Sequence, residues 1–317
     1  MAQPDPRTER DPRIHVTVDQ LRRLAHGARA LSLLPRQPAS SILNGRHGSR
    51  LRGRGLNFEE LRGYLPGDDI RTIDWKVTAR TCEPHVRVYT EERDRPALVV
   101  VDQRMSMFFG SQVYMKSVVA AEAAAIVAHR ILGQGDRIGG LVFGDSIIAE
   151  HPPQRRTLAL NQLVNSIAQA NQILHPVQTA PAEPIHLNTL LKRTVRIVKT
   201  NTLVALFSDF EGLNAESEKY LRKLALANDL IIFNVFDPAS RGLPASLRLA
   251  ISDGMQQADL DASDPNVRAR INTVLVNRLD ILHDWSRKYS FPIVPLETDS
   301  PALDQMLTLF GHARGRK

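Results

Sequence analysis

The chain has 317 residues, of which 43% are hydrophobic and 24% are charged, a composition typical of a globular protein with a sizeable core. Its single cysteine, Cys82, excludes an internal disulfide and a cysteine metal cluster. No apolar run approaches the roughly 18 residues needed to span a bilayer, and the N-terminus lacks the apolar stretch of a signal peptide. We therefore expect a cytoplasmic protein without a membrane span.

The net charge of +7 is concentrated in particular segments. Residues 44–54 carry four arginines and no acid, and the last residues add a second basic group. Aromatic residues make up only 5% of the chain, and no stacking residues alternate with the basic ones, unlike in single-strand binders. A basic surface that meets an acidic protein is at least as well supported as a nucleic-acid site.

The N-terminal part is predicted to be irregular, with one helix. Residues 1–13 are polar and contain prolines, which predicts disorder. Thr17 is the expected N-cap of a helix that continues to about Leu34. Residues 44–95 are polar and rich in turns, with an alternating strand at 86–89. We interpret residues 14–95 as this helix followed by an accessory block.

The rest of the chain alternates between apolar strands and helices. The predicted strands are 97–102, 138–143, 147–148, 202–207, 229–236 and 291–296, and the predicted helices are 111–132, 154–171, 187–198, 214–227, 265–288 and 301–310. Residues 237–264 differ, since acidic residues and alternation there indicate a hairpin insertion. The alternation predicts an α/β fold with a doubly wound, mostly parallel sheet over residues 96–311, followed by a basic tail at 312–317.

Acidic and hydroxyl side chains follow two of the predicted strands. Asp102 and Ser106 come after the first strand of the sheet, and Asp209 follows the strand at 202–207. Parallel strands present their carboxyl ends at one edge, so these side chains should converge. Their oxygen atoms suit Mg²⁺ or Mn²⁺. A phosphate-binding loop, a zinc-type histidine pair and a Gly-x-Ser-x-Gly motif are all absent from the sequence.

The segment Asp102-Gln103-Arg104-Met105-Ser106 resembles Asp-x-Ser-x-Ser, the metal-ion-dependent adhesion site of von Willebrand factor A domains. The resemblance extends to residues 135–139 and 206–210, and implies that fold and a metal held by Asp102, Ser106 and Asp209. Arg104 replaces the first serine, and Ile185 stands where the family has a threonine. We expect Mg²⁺ or Mn²⁺ to bind weakly or not at all.

Two arrangements of Arg104 remain open at this point. In the first, its guanidinium folds inward and binds Asp102 and Asp209 in place of the metal, since arginine pairs with carboxylates through two parallel hydrogen bonds. In the second, Arg104 points to solvent and the site binds metal weakly.

The accessory block contains a long motif that resembles the signature of the domain-of-unknown-function 58 family. The residues that carry this resemblance are Arg62, Tyr64, Pro66, Gly67, Asp68, Asp69, Arg71, Asp74, Trp75 and Arg80. The resemblance implies a cytoplasmic protein, often encoded beside a MoxR-type AAA+ ATPase, without an established enzymatic activity. The charged residues form a docking or catalytic surface, or an ion-paired network that pins the block to the sheet with Trp75 buried. The structural role is the favoured interpretation.

These observations predict a non-enzymatic adaptor with a degenerate metal site, which works with a MoxR-type ATPase in the assembly or maturation of other proteins. One alternative is a metal-dependent hydrolase that uses Asp102 and Asp209, although such an enzyme needs an intact metal set. Another is a nucleic-acid binder that uses residues 44–54, whose affinity would fall steeply with salt.

Overall fold

The computed structural model describes residues 11–32, 56–91, 95–145, 147–175, 185–241, 248–252, 257–261 and 265–311. The basic segment 44–54, the tail 312–317 and residues 1–10 lie outside this range. The described residues form two compact units: residues 11–32 belong with those from 95 onward, and residues 56–91 form the second unit. The predicted accessory region of residues 14–95 is therefore split between the two units: its first helix belongs to the first unit, and residues 56–91 form the second.

In chain order, the strands are β1 (Leu56–Gly63), β2 (His85–Glu91), β3 (Pro96–Asp102), β4 (Arg137–Phe143), β5 (Ile147–Gln154), β6 (Leu203–Ser208), β7 (Asp229–Phe236), β8 (Arg248–Ser252), β9 (Gln257–Asp261) and β10 (Ile293–Glu297). The helices are α1 (Val18–Arg23), α2 (Ala25–Ala28), α3 (Trp75–Thr81), α4 (Lys116–Gly133), α5 (Thr157–Ile173), α6 (Leu187–Ile197), α7 (Ala215–Ala227), α8 (Pro265–Tyr289) and α9 (Ala302–Phe310). Among the described residues, no helix has the length and apolar character that a bilayer crossing requires.

The first unit contains a six-stranded sheet in the order β10-β7-β6-β3-β4-β5. All neighbouring strands are parallel except β5, which pairs antiparallel with β4 at the edge. The central strands are buried along almost their whole length, as expected when helices cover both faces. Side chains of α4, α5 and α9 pack on one face, and those of α6 and α7 on the other. The predicted doubly wound sheet of the von Willebrand factor A type is confirmed.

The structure corrects several predicted boundaries in this unit. Thr17 caps α1 as expected, but the helix is interrupted at Leu24 and α2 ends at Ala28, not at residue 34. Residues 11–13, predicted to be disordered, form a turn in which Asp11 accepts hydrogen bonds from Arg13. The edge strand β5 is longer than predicted and contains Pro152 and Pro153, which an edge strand tolerates because one side needs no N–H donors.

The helix predicted from residue 111 begins five residues later, at Lys116. The cause is a tertiary contact: Asp237, just after β7, accepts hydrogen bonds from both the backbone N–H and the hydroxyl of Ser111. Thr298, after β10, donates to the same carboxylate at 2.6 Å. These bonds hold the loop before α4 at the carboxyl edge of the sheet.

The second unit is built on an antiparallel pair of strands, β1 and β2, with α3 between them in the chain. Asp74 caps α3 by accepting hydrogen bonds from the backbone N–H groups of Lys76 and Val77. Cys82 ends the helix in the left-handed conformation, at φ 62°. In the segment predicted as a hairpin insertion, β8 and β9 pair antiparallel.

Candidate functional site

Strands β3 and β6 place two aspartates at the same edge of the sheet. The strands are hydrogen-bonded neighbours with Val101 opposite Phe207, so Asp102 and Asp209 leave the sheet side by side. Asp102 is fully buried and Asp209 is 5% exposed. Buried carboxylates need compensating positive charge or hydrogen bonds, so cations or hydrogen-bond donors must lie close to both aspartates.

Both carboxylate oxygens of Asp102 are engaged. Oδ1 accepts hydrogen bonds from the backbone N–H of Arg104 at 3.0 Å and from its Nε at 3.1 Å. Oδ2 accepts from Arg104 Nη2 at 2.9 Å and from the hydroxyl of Ser208 at 2.6 Å. Two-point contact between a guanidinium and a carboxylate gives a strong, directional ion pair.

Arg104 is directed into the protein, with 7% of its surface exposed. Its Nη2 also lies 3.9 Å from Oδ1 of Asp209 and donates to the backbone oxygen of Glu211 at 3.3 Å. Burial by itself lowers the pKa of Arg104, but Asp102 and Asp209 outweigh burial and raise the pKa above its ordinary value. The alternative in which Arg104 points to solvent is therefore wrong.

Asp209 has a second cation beside it that the sequence did not reveal. Lys116 Nζ donates to Oδ2 of Asp209 at 2.6 Å, and the backbone N–H of Glu211 donates to Oδ1 at 3.0 Å. Burial alone raises the pKa of Asp209, but the charges of Lys116 and Arg104 prevail and lower it to about 2. We call Asp102, Arg104, Lys116 and Asp209 the strand-end cluster.

The residues of the strand-end cluster do not fit a divalent metal. Two fixed cations already balance the two carboxylates, so a dication would meet no net negative charge at short range. In the described part of the chain, no three histidine, cysteine or acidic side chains are grouped in a way that suits a metal ion. Of the other two positions of the expected set, Ile185 offers no ligand atom and packs against an apolar cluster, and Ser106 has a buried hydroxyl without a hydrogen-bond partner among the described residues.

Two further residues shape the cluster. Phe210 adopts the left-handed conformation at φ 56°, which is costly for a residue with a Cβ atom, and its fully buried ring holds it there. This turn follows Asp209 directly. Arg278 of α8 donates from Nη1 to the backbone oxygen of Asp209 at 3.3 Å. A third cation therefore lies at the same edge.

The sequence did not point to Lys116, because the predicted helix begins at residue 111 and places this lysine inside it. In the structure, Lys116 is the first residue of α4, where the positive end of the helix dipole disfavours a cation. A lysine at that position needs a nearby carboxylate, which Asp209 supplies. The sequence did not point to Arg278 either, because its contact with the backbone of Asp209 depends on how α8 packs.

Two aspartates of the motif, Asp68 and Asp74, form ion pairs within the second unit. Arg62 Nη1 and Nη2 donate to the two carboxylate oxygens of Asp68 at 2.8 and 2.9 Å. Arg87 Nη2 lies 2.7 Å from Oδ2 of Asp74. These pairs lower the pKa of both aspartates, because the arginine hydrogen bonds favour the charged form.

The other motif residues either fix the local backbone conformation or are exposed to solvent. Asp69 accepts a hydrogen bond from the backbone N–H of Arg71, and the N–H of Tyr64 donates to the oxygen of Pro84. Pro66 precedes Gly67, whose φ of 108° requires glycine. Trp75 is 68% exposed, so the expectation of a buried tryptophan is wrong. Arg71 and Arg80 are exposed too.

The sequence pattern of the family described as "Protein of unknown function DUF58" matches residues 60–278. The chain belongs to the DUF58 family. Two similar relatives are the uncharacterized proteins Mb1516 of Mycobacterium bovis and Rv1480 of Mycobacterium tuberculosis. Each is 29% identical over 279 residues, which cover 87% of this DUF58 chain and 86% of the relative. The crystal structure of an uncharacterized membrane spanning protein from Vibrio fischeri covers 61% of this chain and 98% of its own, with 14% identity and a TM-score of 0.23.

Proposed function

We propose that this DUF58 chain is a non-enzymatic protein-interaction adaptor whose sheet edge works without a metal ion. The observation that carries the proposal is the strand-end cluster, in which Arg104 and Lys116 neutralise Asp102 and Asp209. A hydrolase built on these two aspartates would need them free to hold a metal that activates water. Here the same carboxylates fix the loops after β3 and β6.

The proposed partner is a MoxR-type AAA+ ATPase, and the proposed role is the assembly or maturation of other proteins. The support is the family resemblance together with the position of the cluster, since open α/β sheets bind their ligands at the carboxyl ends of the strands. Arg104 links the two loops of this edge, because it pairs with Asp102 and donates to the backbone of Glu211.

The test is biolayer interferometry between the full chain and the MoxR-type ATPase of the same genome, with ATP and Mg²⁺ present. Wild type should bind, and Arg104→Ser should weaken binding at least about tenfold, since Asp102 is then left buried without its partner. Arg193→Ser is the matched control, because it removes an arginine from a half-exposed ion pair with Glu150. It should change the affinity by less than about twofold.

Two results would contradict the proposal. One is no binding in any nucleotide state, or equal binding by wild type and Arg104→Ser. The other is Mg²⁺- or Mn²⁺-dependent hydrolysis of p-nitrophenyl phosphate that is lost in Asp209→Ala, which would support the hydrolase alternative.

A further inference from the structure

Helix α3 has one exposed face that carries both apolar and cationic side chains. Trp75, Lys76, Ala79 and Arg80 are all exposed, and Trp75 is 68% exposed. Residues four apart lie on the same side of an α-helix, so these residues form two adjacent rows, Trp75 with Ala79 and Lys76 with Arg80. We call these four residues the α3 face. It combines an apolar row and a cationic row.

The opposite side of α3 is held in place by hydrogen bonds within the second unit. Thr78 Oγ1 accepts from the backbone N–H of His85 at 3.1 Å, and Thr81 Oγ1 lies 3.2 Å from His85 Nδ1. Asp74 fixes the start of the helix through its cap and its pair with Arg87. The rotation of the helix is therefore set, and it leaves Trp75 outward.

The α3 face carries two cations, Lys76 and Arg80. Within the described residues, neither Lys76 nor Arg80 forms an ion pair, whereas the neighbouring acids Asp68 and Asp74 are paired with Arg62 and Arg87. Two cations without an ion-pair partner in the described part of the chain thus lie beside an exposed indole. An exposed tryptophan is uncommon on a surface that stays in water, and tryptophan and arginine are the side chains most enriched at binding hot spots.

We propose that the α3 face is an interaction surface that binds an acidic protein segment carrying an apolar side chain. The indole row offers the apolar contact, and the Lys76–Arg80 row pairs with the carboxylates of the partner. This surface belongs to a different unit from the strand-end cluster, so the inference does not depend on the ATPase proposal.

The charges around the α3 face favour a protein over a nucleic acid. Nucleic-acid sites neutralise many phosphates with a continuous basic surface. The α3 face offers two cations, and the exposed acids Asp69 and Glu83 flank it in the chain. Two cations are enough to pair with a short acidic segment, but they are far fewer than a phosphodiester backbone requires.

The experiment measures fluorescence anisotropy of a short fluorescein-labelled peptide of Glu-Glu-Leu repeats with the full chain. Wild type should bind it. Trp75→Ala and the double variant Lys76→Glu/Arg80→Glu should each weaken binding at least about tenfold, because each removes one of the two rows. All substituted side chains are exposed, so the circular dichroism spectrum and unfolding midpoint should match those of wild type.

Helix α7 supplies matched controls. Lys219→Glu/Lys223→Glu makes the same charge change at the same spacing on an exposed helix, and Leu226→Ala removes an apolar side chain that is 72% exposed. Both controls should bind within about twofold of wild type. The proposal is overturned if wild type does not bind the peptide, if the α3 variants bind as the controls do, or if a Lys-Lys-Leu peptide or a single-stranded oligonucleotide binds more tightly than the acidic peptide.

Discussion

The strand-end cluster and the α3 face contain similar charged groups in opposite states. In the cluster, Arg104 and Lys116 are buried and paired with Asp102 and Asp209. On the α3 face, Lys76 and Arg80 are exposed and pair with no described carboxylate. Buried, mutually paired charges hold structure and are costly to separate, whereas exposed, uncompensated charges cost little and remain available to a partner.

The largest effect should come from removing one carboxylate of the cluster. Asp102→Ala leaves Arg104 buried without its main partner, and we expect a loss of about 3–5 kcal/mol in the free energy of unfolding, measured by urea denaturation. Glu150→Ala is the control, because its pair with Arg193 is more than one third exposed on both sides. That control should lose less than about 1 kcal/mol. Equal losses would remove the distinction between buried and exposed pairs.

Lys116 should contribute stability in a pH-dependent way. The lowered pKa of Asp209, from 3.8 to about 2, contributes stability that is present above pH 3.8 and is lost as the pH falls toward 2. Lys116→Met removes one cause of that shift, so we expect a loss of up to about 2 kcal/mol at pH 7.

The difference between wild type and Lys116→Met should shrink below pH 4, in urea titrations repeated at several pH values. Lys192→Met, at an exposed site on α6, is the control and should differ little from wild type at every pH. A Lys116→Met loss that stays constant down to pH 2 would argue against the pairing of Lys116 with Asp209.

Two serines at the same edge should behave differently. Ser208→Ala removes a hydrogen bond to a buried carboxylate and should cost about 1–3 kcal/mol. Ser106→Ala removes a buried hydroxyl that has no described partner, so the free energy of unfolding should stay the same or rise by up to about 1 kcal/mol. A clear loss in Ser106→Ala, present only with Mg²⁺, would mean that Ser106 is a metal ligand after all.

The smallest effect on stability is expected at the α3 face. Trp75→Ala should change the free energy of unfolding by less than about 0.5 kcal/mol, because most of the indole is already in contact with water. The check is urea denaturation of this variant in parallel with Leu226→Ala. A loss of several kcal/mol would show that the indole is buried in solution, and would restore the structural role that the sequence favoured.

The fold was accessible from the sequence because its signals are local. Apolar strands such as 97–102 and 202–207 alternate with amphipathic helices, and that pattern determines a doubly wound sheet. The convergence of Asp102 and Asp209 could be predicted because parallel strands present their carboxyl ends at the same edge of a sheet. Helix starts were less accessible where a distant residue decides them, as Asp237 does for the loop before α4.

The composition of the cluster could be predicted only in part. Arg104 was identifiable because it lies within the motif, two residues from its partner. Lys116 and Arg278 come from other helices, so their contacts with Asp209 depend on how those helices pack. The exposure of Trp75 was mispredicted because a helix of seven residues is too short for its pattern to show which side faces the core.

The most direct test of the strand-end cluster is calorimetric titration of Mg²⁺ and Mn²⁺, at millimolar concentration, into wild type and into Arg104→Ser/Lys116→Met. The account predicts no binding heat for wild type, because the carboxylates are already neutralised, and detectable binding in the double variant, where two carboxylates are left without their fixed cations. Tight binding to wild type that is lost in Asp209→Ala would contradict the account.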